Sequence, residues 1–177
     1  MFYTYQDIIM RTKNRRGVTN MIVAAHAGTG KTHLAGMYPD KVIDFICMPY
    51  KYFLESEPVD GETGKANPDN EMRPEWPENY VQELIKLRSS DKIILIPPDV
   101  FVLALLDAES IPYLLVYPQR SAKEEYRRRY VDRGNTANFL VIFIDGWDLF
   151  LERMEKHPHG QHIVLESHQF LSDVIEM

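Results

Sequence analysis

Residues 25–32, Ala25-His26-Ala27-Gly28-Thr29-Gly30-Lys31-Thr32, constrain this chain more than any other stretch. They match the phosphate-binding loop pattern G-x-x-x-x-G-K-[ST], with alanine in place of the first glycine. The context fits too: the apolar run Met21–Ala25 reads as a buried strand, and Lys31–Tyr38 as a short helix stopped by Pro39. Each residue type has a physical task. Gly28 and Gly30 permit backbone turns that aim consecutive N–H groups at phosphate oxygens. Lys31 supplies a cation for the β- and γ-phosphates, and the Thr32 hydroxyl can ligate Mg²⁺. Ala27, Gly28, Thr29, Gly30, Lys31, Thr32 and His33 are therefore the expected residues around a nucleoside triphosphate, with ATP and Mg²⁺ as the implied ligands.

Short apolar runs alternate with helical patterns along the rest of the chain. Val42–Ile46, Lys92–Ile96, Tyr113–Tyr117 and Gln161–Leu165 read as further strands. Tyr80–Arg88, Val100–Ala108 and the very polar Ala122–Arg133 read as helices. This alternation predicts an α/β fold, a parallel sheet layered between helices, in a single domain over residues 1–177. Residues 54–79 interrupt it: acidic and proline-rich, they cannot be a long helix or an inner strand. Phe139–Asp145 could be a strand ending in a magnesium-binding aspartate. Its apolar spacing instead continues through Trp147 to Met154, which predicts a helix with Asn135 as N-cap, Gly146 as its weak point and Asp145 away from any metal.

Composition sets outer limits. With 26 acidic residues against 20 lysines and arginines, the net charge is −6, which argues against a general nucleic-acid or membrane-surface binder. The N-terminal Arg11, Lys13, Arg15 and Arg16 are a local exception. A single cysteine, Cys47, excludes an intramolecular disulfide and a multi-cysteine zinc site. No long apolar run and no signal-like start is visible, so the expected compartment is the cytoplasm.

Several blocks together resemble the small nucleoside monophosphate kinase-like P-loop proteins often carried by phages and prophages. They are AGTGKTHLA (27–35), VIDF (42–45), NPDNEMRPEWPENYVQELIKL (67–87), LLVYPQRSAKEEYRRRYVDRGN (114–135) and VLESHQFLSDVI (164–175). The resemblance implies a three-layer P-loop NTPase fold similar to adenylate kinase, with five parallel strands ordered 2-3-1-4-5. It also implies an arginine-bearing lid after the fourth strand, at 119–135, and an acceptor bound near the 54–79 insertion. Phe45-Ile46-Cys47 departs from the polar residues that relatives carry there.

The implied activity is ATP-dependent phosphoryl transfer to a nucleotide or similar small phosphorylatable acceptor. A nucleotide-binding regulatory or DNA-associated ATPase, or a P-loop binding module without kinase activity, is the alternative. Lys31, Asp44, Arg120, Arg129 and Arg133 are the catalytic candidates. Asp44 ends the second strand, where it could orient a hydroxyl or a metal-bound water, and the arginines could meet charge developing on the transferred phosphoryl group. Thr32 and Asp99 are the metal-ligand candidates, Asp99 closing the run IILIPPD. Tyr50, Lys51, Tyr52, Phe53 and Trp76 could stack on a base or simply anchor the insertion, and a phosphorylated acceptor would have to reach Lys51 or Arg73. His157, His159 and His162 flank a proline and a glycine and read as a turn rather than a metal cluster; His26 and His33 read as packing or exposed residues, and Cys47 as a buried one.

Overall fold

The computed structural model describes residues 3–4, 21–53 and 71–177. The basic residues Arg11–Arg16 and the 54–70 part of the insertion lie outside the described residues. In chain order the elements are β1 (Tyr3–Thr4), β2 (Ile22–Ala25), α1 (Lys31–Met37), β3 (Val42–Asp44), α2 (Met48–Lys51), α3 (Glu78–Leu87), β4 (Ile93–Ile96) and α4 (Val100–Ala108). Then come β5 (Tyr113–Pro118), a 3₁₀ turn (Arg120–Ala122), α5 (Lys123–Asp132), α6 (Ala137–Leu140), a π turn (Val141–Asp145), α7 (Trp147–Glu155), β6 (Gln161–Leu165), α8 (Leu171–Val174) and β7 (Ile175–Glu176).

Five strands form one all-parallel sheet in the order β3-β4-β2-β5-β6, the order 2-3-1-4-5 when numbered within the sheet. The register aligns Val23 with Leu95 and Leu114, and Asp44 with Leu95. Every residue of β2, β4 and β5 is buried, because helices cover both faces of a parallel sheet. Alternate side chains then feed two separate cores. Ile22, Ala24, Ile94, Ile96, Tyr113 and Leu115 pack under α3, α4, α5 and α7. Met21, Val23, Ile93, Leu95, Leu114 and Val116 pack under α1 and the α8 segment. A small parallel pair, Tyr3 with Ile175 and Thr4 with Glu176, joins β1 to β7. No helix among the described residues is long and apolar enough to cross a membrane.

Residues 139–154 are helical and outside the sheet, with Trp147, Leu151 and Met154 buried on one face. The N-cap is Thr136, whose side chain accepts from the Phe139 N–H, rather than Asn135. The helix is not continuous: the π turn widens it so that Gly146 N–H donates to Val141 O at 3.3 Å. A Cβ on Gly146 would lie 2.5 Å from the Ile142 carbonyl oxygen, so the wide turn requires glycine there. In an ordinary helix interior alanine would stabilise over glycine by about 1 kcal/mol. Here Gly146→Ala should instead cost about 1–3 kcal/mol, because backbone must move to admit the methyl. Chemical denaturation checks this, and a gain in stability would refute the wide-turn account.

Because all five strands are parallel, their carboxyl ends lie along one edge. That edge carries the 26–30 loop after β2, Asp44 at the end of β3, Asp99 after β4, Arg120 after β5 and residues 166–170 after β6. This is where open α/β sheets bind ligands.

Candidate functional site

The loop after β2 is locked from both sides. His26 N–H donates to Val116 O on β5 at 2.9 Å, and Leu171 N–H donates to Thr29 O at 2.9 Å. The buried Thr29 hydroxyl donates back to His26 O at 2.8 Å, closing the turn. Gly28 and Gly30 have φ of +79° and +93°, the left-handed region that side chains disfavour. Space forbids side chains as well: a Cβ on Gly28 would sit 2.8 Å from the Tyr130 ring, and one on Gly30 3.3 Å from Phe170. Lys31, in the first turn of α1, reaches back so that its ammonium donates to Ala25 O at 2.7 Å and His26 O at 3.0 Å. Desolvation pushes its pKa down to about 8; the Asp44 charge opposes this shift and the Arg133 charge adds to it.

α1 packs against β3, and this brings the Thr32 hydroxyl to Asp44, donating to Oδ2 at 2.6 Å. Asp99 is engaged elsewhere. One of its oxygens accepts from the Phe101 N–H at 3.0 Å as the N-cap of α4, and the other pairs with the Lys51 ammonium at 2.7 Å. Asp145 is exposed on the π turn. The carboxylate brought to Thr32 is thus Asp44 rather than Asp99 or Asp145. A hydroxyl and a carboxylate side by side are hard oxygen donors that fit Mg²⁺, which takes few protein ligands and completes its shell with phosphate and water. No cluster of three or more His, Cys, Asp or Glu poised for a metal occurs among the described residues.

The three arginine candidates occupy three different situations. Arg120 makes a two-pronged pair with Glu155, the Nη2 contact being 2.7 Å, and leans toward Asp148 at 3.7 Å on the surface. Arg129 is held on all sides. It pairs with Glu125, donates to Gly28 O at 3.1 Å and to Gln169 O at 3.3 Å, and stacks over Tyr126 and Phe170 at 4.5 and 3.9 Å. Arg129 thus clamps the loop to the segment after β6. Arg133 is exposed and makes no ion pair among the described residues, yet its charge is felt at Lys31. On the inner face of α5, Tyr126 and Tyr130 are buried, and the Tyr130 hydroxyl donates to Ala27 O at 2.9 Å.

Two participants escape a reading of the sequence by motif: Gln169 and Phe170. The His26 ring is fully buried among Tyr126, Phe143, Trp147 and Phe150, with edge-on ring contacts of 5.6–6.0 Å. Burial pushes its pKa down to about 4, so it is neutral at physiological pH. Glu125 and Arg129 at i,i+4 are the available signal for the clamp, whereas Gln169 and Phe170 arrive from 40 residues away.

Aromatic residues on either side of the insertion pack together. Phe45 stacks on Tyr80 at 4.5 Å, the Tyr80 hydroxyl donates to Phe45 O at 2.6 Å, and Tyr50 packs edge-on at 5.2 Å. Phe45 is therefore apolar because α3 needs a ring there. Cys47 is half-buried rather than buried, and desolvation pushes its thiol up to about 11. The histidines are split among separate partners. His157 Nε2 lies 2.5 Å from the Tyr113 hydroxyl and 3.1 Å from Asp107, while His162 Nδ1 lies 3.0 Å from the Tyr117 hydroxyl. His33 is exposed.

Protein-family models, curated proteins and solved structures were compared with the chain, and none matches it.

Proposed function

We propose that this protein is a cytoplasmic P-loop kinase, similar to nucleoside monophosphate kinases, that binds MgATP at residues 25–32 and transfers the γ-phosphoryl group to a small acceptor. The observation that carries this reading is one conjunction: two left-handed glycines, a lysine folded over the loop, and Thr32 beside Asp44. In this reading the N–H groups of 27–33 and the Lys31 ammonium hold the β- and γ-phosphates. Thr32 and Asp44 would hold Mg²⁺, which when bound neutralises charge on those phosphates. Arg133, free of an ion pair among the described residues, is the side chain best placed to meet charge that develops during transfer. Helix α5 then serves less as a swinging lid than as a wall that carries Arg133.

Calorimetry with MgATP, followed by ADP release with and without a panel of acceptors, tests the proposal. Acceptor-dependent turnover supports the kinase; acceptor-independent hydrolysis would favour a regulatory or DNA-associated ATPase; tight binding without turnover would leave a binding module. The lowered pKa of Lys31 adds a pH signature. Its charged form must be present to bind phosphate, and the unliganded protein loses that proton as pH rises through about 8. The apparent MgATP affinity should be flat below pH 7 and fall about tenfold per pH unit between roughly pH 8 and 10. A flat profile across that range would exclude Lys31 as the phosphate contact.

A further inference from the structure

A groove of about 220 Å³ opens between α4 and α7. That is below the roughly 300–1,000 Å³ of pockets for drug-sized ligands, so it suits one small molecule. It runs from Asp99, at the start of α4, to His157, just past the end of α7. Its walls are apolar: Phe101 and Leu103 from α4, Phe150 and Met154 from α7. Phe101 is 57% exposed although it stands at the groove, an aromatic face left for something else to cover. Phe150 lies against both the groove and the His26 ring, at 6.0 Å, so the groove and the phosphate-binding loop share a wall.

Lys51, which lines this groove, and Arg73, whose backbone N–H donates to Lys51 O, are already committed. The Lys51 side chain is 18% exposed, and its ammonium pairs with Asp99 at 2.7 Å and lies over the Trp76 ring at 5.1 Å. Arg73, the other cation that could have met an acceptor phosphate, donates its Nε–H to Pro49 O and Tyr52 O at 3.0 and 3.2 Å and stacks over Phe53 at 4.4 Å. A phosphate dianion would have to pull Lys51 from a half-buried carboxylate, leaving Asp99 uncompensated. Arg153, exposed at the rim, is a single cation: the Nε2 of His157 in the same lining is already engaged by Asp107 and the Tyr113 hydroxyl, whereas phosphate seats converge several charged donors.

We propose that this groove is the acceptor site and that it takes an uncharged aromatic alcohol of nucleoside size rather than a phosphomonoester. The proposal rests on the kinase reading above and narrows it to a substrate class. In the reaction the acceptor hydroxyl oxygen forms a new bond to the γ-phosphorus of ATP. The bond from that phosphorus to the β–γ bridging oxygen breaks, and ADP leaves with the electron pair. The hydroxyl proton passes to the Asp99 carboxylate and on to solvent, so the products are ADP, a phosphate monoester and one proton. The ring stacks on Phe101 and Phe150.

The test uses the full chain, MgATP, and paired probes: each common nucleoside and its own monophosphate. At least one nucleoside should raise ADP release about tenfold or more over the rate without acceptor, with phosphorylated nucleoside formed in equal amount by phosphorus NMR. The paired monophosphates should leave the rate within about twofold of that baseline. A monophosphate that outperforms its nucleoside overturns the proposal. So does MgATP binding with no response to any nucleoside, an outcome that leaves the donor-site reading standing. Should MgATP itself fail to bind, the kinase reading falls, and nucleoside binding by ligand-observed NMR decides the groove alone. Phe101→Ser, at an exposed position, should weaken that binding about tenfold, and equal binding overturns the assignment. Asp99→Asn keeps an N-capping side chain but frees Lys51, so it should raise affinity for monophosphates about tenfold. No gain would mean that the Lys51–Asp99 pair does not exclude phosphate, and the proposal would fail.

Discussion

Lys31→Ala should lower MgATP affinity about 100-fold or more, a loss of about 2.7 kcal/mol, while the protein stays folded. Among the described residues the Lys31 ammonium hydrogen-bonds to two carbonyl oxygens of its own loop, those of Ala25 and His26. Removing it takes away those two bonds, but it also removes the cost of keeping a desolvated cation, the cost that pushes its pKa down to about 8. These effects on stability oppose each other, so the unfolding temperature should shift by a few degrees at most. Nothing offsets the loss on the ligand side. With Lys31 gone, the loop's N–H groups remain but the only side-chain cation in the 25–32 stretch does not. Equal affinity of mutant and wild type by calorimetry would show that these residues form a plain turn between a strand and a helix.

The parts of the fold that can be read from sequence are those where one physical cause dominates. The strands β2, β4 and β5 are buried on both faces, so each appears as an unbroken apolar run, and their ends are off by no more than a residue. The helix after residue 137 shows itself because Trp147, Leu151 and Met154 recur at helical spacing. The π turn inside it leaves almost no trace beyond Gly146, since its cause is a backbone register shift. Segment β7 and its partner β1 are two residues each and carry no periodicity. At the site, the loop glycines follow from local chain geometry. The Thr32–Asp44 contact does not, because it depends on α1 lying against β3. Counting charges over residues 120–133 groups the arginines together, whereas the tyrosines interleaved among them decide which way each one faces. With Tyr126 and Tyr130 turned into the core, Arg129 is drawn against the loop while Arg133, one turn further on, stays outside.

That difference predicts opposite phenotypes for two arginines four residues apart. Arg129 has 12% of its side chain exposed, pairs with a Glu125 equally enclosed, and bonds to the Gly28 carbonyl. Arg129→Ala would leave Glu125 as a half-buried carboxylate facing only the backbone N–H and the imidazole of His168 among the described residues, and would leave the rings of Tyr126 and Phe170 without the cation between them. The expected cost is about 2–4 kcal/mol of stability, because removing one partner of an enclosed pair strands the other. ATP affinity should fall with it, since Gly28 and Gln169 lose their common tie and the loop N–H groups proposed to hold phosphate lose their fixed aim. Arg133→Ala breaks no ion pair among the described residues, so its stability should change by less than about 0.5 kcal/mol. If its charge acts on the transferring phosphoryl group, kcat should drop about 10²-fold while ATP affinity changes by less than about threefold. The paired measurement is denaturant unfolding, ATP calorimetry and turnover on both variants. A stable Arg129→Ala protein with normal ATP binding would remove the clamp, and an Arg133→Ala protein with full turnover would reduce that residue to a solvated surface charge.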